Sequence, residues 1–220
     1  MLLYDGPSTI NNADILGILT PADSKNPKTG KMAQLFIVPK NVDPCTAIKS
    51  GDDESVCGKC KHRYNPVTKK RVCYVNQMGI NAVYKKWRKG GHALSQVLDT
   101  VFVRLGAYGD PCALPLALIV WIVNQCKIWT GYTHQWKNNP DYMPYLMASV
   151  DSEAEYYEAT TAGWRTFRVK RESDPILPGE IVCPYATKGI QCIKCGLCRG
   201  TSIGAKNIVI NVHGIGKKGF

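Results

Sequence analysis

The stretch VFVRLGAYGDPCALPLALIVWIVNQCKIWTGYTH, residues 101–134, contains a complete strand–helix–strand unit. Its first part predicts a strand that runs into a Gly-Asp-Pro turn. The apolar segment ALPLALIVWIVNQC then predicts a mostly buried helix, and IWTGYTH predicts a second strand. Strands joined by a helical crossover pair in parallel, with a right-handed connection. This unit therefore predicts an α/β fold.

The same alternation continues on both sides of the unit. Upstream, residues 1–30 are polar and turn-rich, QLFIVP predicts a buried strand, and NAVYKKWRKGG predicts a helix capped by Asn81. Downstream, Ser152 and Glu155 form a capping box that predicts a helix. The remaining predicted elements are a short helical segment and four strands: PDYMPYLM, MASVDS, WRTFRVK, EIVCPY and NIVINVHG.

About seven strands alternating with three or four helices predict a small or partial (β/α) barrel with mainly parallel strands. We expect one domain over residues 1–220, with a Cys-rich insert at 41–76 and a Cys-rich loop at 183–200. The longest apolar stretch, residues 112–123, contains a proline and is too short to span a bilayer. With no signal peptide, this predicts a soluble, cytoplasmic protein that does not contact a membrane.

The ten cysteines of such a chain are expected to bind metal rather than to form disulfides. Cys192, Cys195 and Cys198 follow one another at two-residue intervals, as in the ferredoxin signature, and Cys183-Pro184 supplies a fourth thiol. The spacing predicts an iron–sulfur cluster, with a structural zinc ion as the alternative.

A second group consists of the pair Cys57 and Cys60 together with Cys73, with Cys45 as a possible fourth ligand and His62 as a substitute. This looser spacing is compatible with zinc or with a cluster held by three thiolates. A three-thiolate site leaves one metal position open to a ligand, whereas a four-thiolate zinc ion is closed and structural. We therefore predict one or two iron–sulfur clusters, or zinc ions in their place.

Polar residues follow three predicted strands, where active sites of (β/α) folds are built. Asp110 can hold an amine or hydroxyl of a ligand, or it can cap the next helix. Tyr132 and His134 lie just after a strand, and His134 can act as an acid, a base or a ligand, or be purely structural. Asp151 belongs either to the site or to the start of a helix.

The net charge of +11 is concentrated between residues 59 and 89, which carry ten Lys and Arg residues and no acid. Such a block attracts phosphate, and interleaved aromatics such as Tyr84 and Trp87 can stack on bases. It predicts binding of a nucleotide or nucleic acid, with a solvated surface as the alternative. The candidate phosphate-binding residues are Lys69, Lys70, Arg71, Lys85, Lys86, Arg88 and Lys89.

Five motifs together resemble an uncharacterised family of bacteriophage proteins: CGKCKHRYNPVTKKRVCY, RLGAYGDP, GYTHQW, CPYATKGIQCIKCGLC and VHG. The match extends over about residues 25–214. The resemblance implies a phage origin, and hence a location in the cytoplasm of the infected host. It implies no activity.

The layout is also similar, more remotely, to radical S-adenosylmethionine enzymes. That resemblance implies a cluster on Cys57, Cys60 and Cys73, although their spacing departs from the C-x3-C-x2-C that is typical of these enzymes. It further implies that Asp110 of YGDP binds the methionyl amine of S-adenosylmethionine. An auxiliary cluster would be held by the four C-terminal cysteines.

We thus expect a phage-encoded iron–sulfur enzyme that acts on a nucleotide or nucleic acid, with S-adenosylmethionine as a candidate co-substrate. The alternatives are a zinc-stabilised nucleic-acid-binding protein without catalysis and an accessory protein that binds a host factor. The substrate and the oligomeric state are not specified by the sequence.

Overall fold

A computed structural model describes residues 1–73, 75–93, 98 and 101–212. Tyr74 and His213 lie outside these residues. The described chain has ten strands, numbered here in chain order. They are β1 (Leu2–Pro7), β2 (Asp14–Leu19), β3 (Ala33–Pro39), β4 (Phe102–Tyr108), β5 (Ile128–Thr130), β6 (Tyr132–Thr133), β7 (Met147–Val150), β8 (Thr166–Lys170), β9 (Glu180–Val182) and β10 (Asn207–Asn211).

Seven α-helices occur within the same residues, together with single 3₁₀ turns at Pro111–Ala113, Trp136–Asn138 and Pro140–Tyr142. The helices are α1 (Pro44–Ser50), α2 (Glu54–Cys57), α3 (Gln77–Arg88), α4 (Leu116–Asn124), α5 (Glu153–Thr161), α6 (Pro184–Lys188) and α7 (Cys192–Cys195). None of the helices in the described part of the chain is both long and apolar enough to cross a membrane.

The strands form two five-stranded sheets, in the orders β1-β2-β3-β4-β5 and β6-β7-β8-β10-β9. The pairs β1–β2 and β2–β3 are antiparallel, and every other pair is parallel. The prediction of an α/β fold with mainly parallel strands is therefore confirmed. A closed barrel is not shown, because no described pairing joins the outer strands β1 and β9.

Gly131 is the only residue between β5 of the first sheet and β6 of the second. Its N–H donates to the carbonyl of Cys198 and its own carbonyl accepts from the N–H of Met147, both at 3.0 Å. A Cβ at this position would lie 2.5 Å from the Leu146 side chain, so a glycine is needed. The chain thereby passes from one sheet to the other without a loop, and the C-terminal Cys loop packs against this junction.

Residues 1–30, which the sequence pattern describes only as polar and turn-rich, contain two strands that were not predicted, β1 and β2. Gly17 interrupts the apolar pattern of β2, and a Cβ there would lie 3.1 Å from the Cβ of Tyr4. The β1 strand is an edge strand with exposed positions, so its alternation is weak. Both strands nevertheless contribute core residues: Leu2 and Leu3 of β1 are buried, and Ile15, Leu16 and Ile18 of β2 are fully buried.

Helix α3 begins at Gln77, and its cap lies five residues before the predicted cap. Asn76, not Asn81, is the N-cap, and its Oδ1 accepts from the N–H of Met78 at 2.9 Å. Gly79 lowers the helix propensity of the first turn and obscured this start. The buried residues Ile80 and Tyr84 are one turn apart and fix the helix against the core.

Helix α4 was predicted to be mostly buried, but only one face is. Ile119, Ile122 and Val123 are buried, whereas the other positions are partly or fully exposed. The predicted capping box of α5 is present, because Ser152 Oγ accepts from the N–H of Glu155 at 3.1 Å. The Glu155 carboxylate in turn accepts from the N–H of Asp151 at 2.8 Å.

Candidate functional site

Residues along the parallel strands and just after their carboxyl ends line a cavity of about 440 Å³. This volume lies within the range of small-molecule sites, about 300–1,000 Å³. Asp110 follows β4, and His134 follows β6, and both line the cavity together with Tyr132 of β6. Asp151 follows β7 and lies behind His134. The structure thus brings all four predicted catalytic residues to one edge of the sheets.

Cys57, Cys60 and Cys73 line the same cavity. Cys57 ends α2, the N–H of Cys60 donates to the Cys57 carbonyl at 3.3 Å, and the N–H of Cys73 donates to the His62 carbonyl at 2.9 Å. Burial, together with the neighbouring Asp53, Cys60 and Cys73, raises the pKa of the Cys57 thiol well above its usual value. Thiols held close together and out of water ionise when they bind a metal cation.

The Cys-rich insert is held in place by a buried ion pair. Asp53 is almost fully buried, and its Oδ1 accepts from Nη2 and Nε of Arg63 at 2.6 and 2.9 Å. The same guanidinium donates to the carbonyls of Gly51 at 2.6 Å and Gly58 at 2.9 Å. A guanidinium with fixed donors can bind several acceptors at once. Arg63 therefore fixes the loop that carries Cys57 and Cys60.

Cys45 is not brought to this group. It lies on α1, its thiol is 4.0 Å from the carbonyl of Gln77, and it does not line the cavity. The α1 helix begins at an Asp43 cap, which accepts from the N–H groups of Cys45 and Thr46 at 3.1 Å each. Cys45 thus belongs to the α1–α3 contact, away from the other three thiols.

The four C-terminal thiols, Cys183, Cys192, Cys195 and Cys198, line a second, much smaller void. Cys183 precedes α6, Cys192 and Cys195 begin and end α7, and Gly196 ends that helix in the left-handed region at φ 62°. Burial raises the pKa of the Cys198 thiol to about 12, although a hydrogen bond with Tyr132 opposes this. The four thiols therefore border one void, but no three of them lie within 4.8 Å of one another.

The two voids are neighbours. Thr130, Tyr185 and Cys192 line both of them. Tyr132 lines the main cavity and hydrogen-bonds to Cys198, which lines the small void. The two cysteine groups therefore lie on either side of a shared wall rather than forming one site.

Arg165 of the second sheet fastens the C-terminal Cys loop. It is buried and donates to carbonyl oxygens at Leu197, Gly200 and Ala205, at 3.0, 3.3 and 2.7 Å. Further along the loop, the N–H groups of Thr201 and Ser202 donate to the carbonyls of Met143 and Pro144. The loop is consequently held by backbone contacts over its whole length.

Asp110 has the contacts of a capping residue. Its Oδ1 accepts from the N–H of Cys112 at 3.0 Å, and its Oδ2 accepts from the N–H of His134 at 2.8 Å. Burial raises the pKa of this carboxyl, while His134 and these hydrogen bonds oppose the rise. The carboxyl thus joins the end of β4 to the segment after β6 at the cavity wall.

His62 and His134 face Asp151. The Oδ1 of Asp151 lies 2.9 Å from Nε2 of His62, and its Oδ2 lies 3.7 Å from Nε2 of His134. Burial disfavours the Asp151 carboxylate, but the two imidazoles outweigh burial and lower its pKa. Burial likewise opposes a charge on His134, but Cys60 and Asp151 raise the pKa of His134 well above its ordinary value.

Two cations in the cavity wall were not predicted. Lys28 and Arg104 line the cavity and lie close enough to Cys192 to oppose the rise of its pKa that burial causes. Arg104 is the single charge within the apolar strand VFVRLG, and that pattern is the signal that could have identified it. Lys28 lies in a loop, SKNPKTG, that gives no such signal.

The predicted phosphate-binding residues lie elsewhere. Lys69, Lys70, Lys85, Lys86, Arg88 and Lys89 are exposed, whereas Arg71 is partly buried and donates to the Val75 carbonyl at 3.1 Å. None of these seven is among the described residues that line the cavity. Tyr84 is buried and its hydroxyl donates to the Lys40 carbonyl at 2.9 Å, so its ring cannot stack on a base.

Comparisons with protein-family models, with curated proteins and with solved structures find no match for this chain. The residues of the cavity and of the two cysteine groups are therefore the basis on which a function is assigned.

Proposed function

We propose that this protein is an iron–sulfur enzyme that acts on a small anionic substrate, such as a nucleotide, in the main cavity. The observation that carries the proposal is that Cys57, Cys60 and Cys73 share this cavity with Lys28 and Arg104. The two sheets, linked by the single residue Gly131 between β5 and β6, would then form the wall of a partial (β/α) barrel with its site at the carboxyl edge.

The sequence spacing of the C-terminal thiols favours a cluster over a zinc ion, because Cys192, Cys195 and Cys198 repeat the intervals of the ferredoxin signature. Among the described residues, no three thiols lie within 4.8 Å of one another, so the thiols of either group would have to move closer together to bind one zinc ion. Cys57, Cys60 and Cys73 line the main cavity, and the four C-terminal thiols line the small void.

When bound, a cluster held by three thiolates keeps one iron available to an external ligand and exchanges single electrons. The chain's own residues supply binding and orientation. Lys28 and Arg104 attract an anionic group, and the rings of Tyr132 and Phe167, whose centroids are 4.3 Å apart, offer an apolar face to a base.

The group of four C-terminal cysteines has a different role. All four of its thiols surround one small void, so a cluster there has no position left for a substrate. Because Cys192 lines both voids, this second centre lies next to the substrate cavity. We assign to it the exchange of electrons with the first centre.

S-adenosylmethionine is the first co-substrate to test, given the remote resemblance to radical S-adenosylmethionine enzymes. We expect the anaerobically isolated protein, reduced with dithionite, to convert it to methionine and deoxyadenosine, with one electron from the reductant and one hydrogen atom from the bound substrate or the solvent. Removal of one cavity thiol, Cys57→Ala, should abolish this reaction, whereas Cys45→Ala should leave it unchanged because Cys45 does not line the cavity. Product analysis by mass spectrometry measures both. If the iron-loaded protein forms no deoxyadenosine, S-adenosylmethionine is not its co-substrate.

A second candidate function is nucleic-acid binding by a zinc-stabilised protein, and the exposed basic residues favour it. Replacing Lys85, Lys86, Arg88 and Lys89 of the α3 terminus by Gln should then reduce the slope of log affinity against log salt. The reduction should be up to about 0.9 for each phosphate of duplex DNA that the variant no longer neutralises. Fluorescence anisotropy at several salt concentrations measures the slope. An unchanged slope, or negligible binding at low salt, contradicts this function.

A further inference from the structure

We propose that His62, His134 and Asp151 form a mononuclear site for a divalent transition-metal ion on the wall of the main cavity. These three residues are the only group of His, Cys, Asp and Glu in the described chain whose ligand atoms all lie within 4.8 Å of one another. Two imidazoles and one carboxylate are the ligand set of facial-triad sites, which bind iron(II) and related ions and leave positions open. The three proposed ligands include no cysteine, and the site does not depend on the iron–sulfur assignment.

The distances suit a shared ion. Two ligands that are each about 2.0–2.2 Å from one metal lie roughly 3–3.5 Å apart. The Asp151 oxygens lie 2.9 Å from Nε2 of His62 and 3.7 Å from Nε2 of His134. The two imidazole rings are 5.5 Å apart, centroid to centroid, at an angle of 66°. Small side-chain rotations are enough to bring the three atoms into one coordination sphere.

The second observation in favour of a metal site is that buried polar atoms of Asp151 and His134 lack a well-aligned hydrogen bond. Both carboxylate oxygens of Asp151 and Nε2 of His134 are buried and make no well-aligned hydrogen bond with any described residue, although Asp151 lies within ion-pair distance of His62 and Lys61. The Asp151 side chain is only 1% exposed. A buried carboxylate without hydrogen bonds costs free energy unless a cation compensates it. An ion at the centre of the three residues would satisfy all three atoms at once.

The surrounding contacts support a ligand role. His134 also hydrogen-bonds to Cys60, and a hydrogen bond of this kind orients a ligand imidazole. Lys61 is the competing cation, since its Nζ lies 3.4 Å from Asp151 Oδ2. It is half-exposed and lies equally close to Glu155, at 3.4 Å, so it can stay paired when a metal takes Asp151.

The open positions of the ion would face the substrate. His62 and His134 line the cavity, whereas Asp151 lies behind them. Lys28 and Arg104 line the same cavity. A metal on the triad and these two cations would together favour a ligand with anionic oxygens, a phosphate or a carboxylate.

Manganese(II) is a suitable probe, because it prefers nitrogen and oxygen ligands to thiolates. We would titrate the anaerobically isolated full chain with manganese(II) and measure the free ion by room-temperature electron paramagnetic resonance. The difference between added and free manganese should correspond to one bound ion per chain. Asp151→Asn and His62→Ala should each weaken binding about tenfold or more, while Lys61→Ala should strengthen it. His92→Ala is the matched histidine control, since His92 lies near the N-terminal amine, away from the site.

No manganese binding at millimolar concentration would overturn the proposal, and so would binding that Asp151→Asn leaves unchanged. His62→Ala provides a second variant should Asp151→Asn fail to fold, which circular dichroism melting reveals. Iron and sulfide analysis of the same samples separates this test from that of the proposed function. Loss of manganese binding with unchanged iron content is the expected pattern for both triad variants.

Discussion

Replacing Gly200 by alanine is expected to detach the C-terminal Cys loop and to destabilise the protein by about 4 kcal/mol or more. A Cβ at Gly200 would be placed against the backbone of Met143, Pro144 and Tyr145, starting with the Met143 carbonyl oxygen. These are backbone atoms, so no side-chain rotation relieves the clash. The same backbone accepts the hydrogen bonds of residues 201 and 202, which cannot form unless the chain approaches this closely.

Gly204→Ala is the matched control, because no atom lies within 4 Å of the position where its Cβ would be. We expect this variant to change the free energy of unfolding by less than about 0.5 kcal/mol. Urea denaturation of both variants measures the difference, and metal analysis reports the state of the loop. Equal stability of the two variants would show that the loop does not pack on residues 143–145 as described.

Cys198→Ala removes one thiol from the group of four C-terminal cysteines and is expected to lower the iron content of the protein by about half. This value assumes that each cysteine group holds one cluster of equal size. Cys198 is buried, lines the small void with the other three thiols and is hydrogen-bonded to Tyr132. A four-thiolate cluster that loses one ligand is exposed to loss of iron. The first centre keeps its cavity thiols and should keep its iron.

Cys126→Ala serves as the control for this experiment, since Cys126 is a free thiol that lines neither void. Its iron content should equal that of the unaltered protein. The two variants are compared by iron and sulfide assay after anaerobic purification. An unchanged iron content in Cys198→Ala would contradict the assignment of the second centre.

The central elements of the fold were predictable because their signals are local. The strands β3, β4 and β7 are apolar runs bounded by turn residues. The start of α5 is predicted by the capping box of Ser152 and Glu155. The first two strands were missed because their pattern depends on tertiary packing. Tyr4 packs closely against Gly17 of β2, and sequence periodicity does not report that contact.

The residues of the cavity wall were also predictable only in part. Asp110, His134 and Asp151 each follow a strand, and the order of neighbouring parallel strands places them at one edge. The pairing of His62 with Asp151 was not predictable, because the insert that carries His62 has no fixed place in a (β/α) pattern. Its position depends on Arg63 and Asp53, whose ion pair is visible only in the folded structure.

The measurement that most directly tests the iron–sulfur assignment is metal and sulfide analysis of the anaerobically purified protein, together with its visible absorption spectrum. We predict a brown protein that contains iron and acid-labile sulfide in about equal amounts. A colourless protein with about one or two zinc ions per chain and no sulfide would contradict the assignment. The cysteine groups would then be structural zinc sites, and the exposed basic residues would become the first place to look for function.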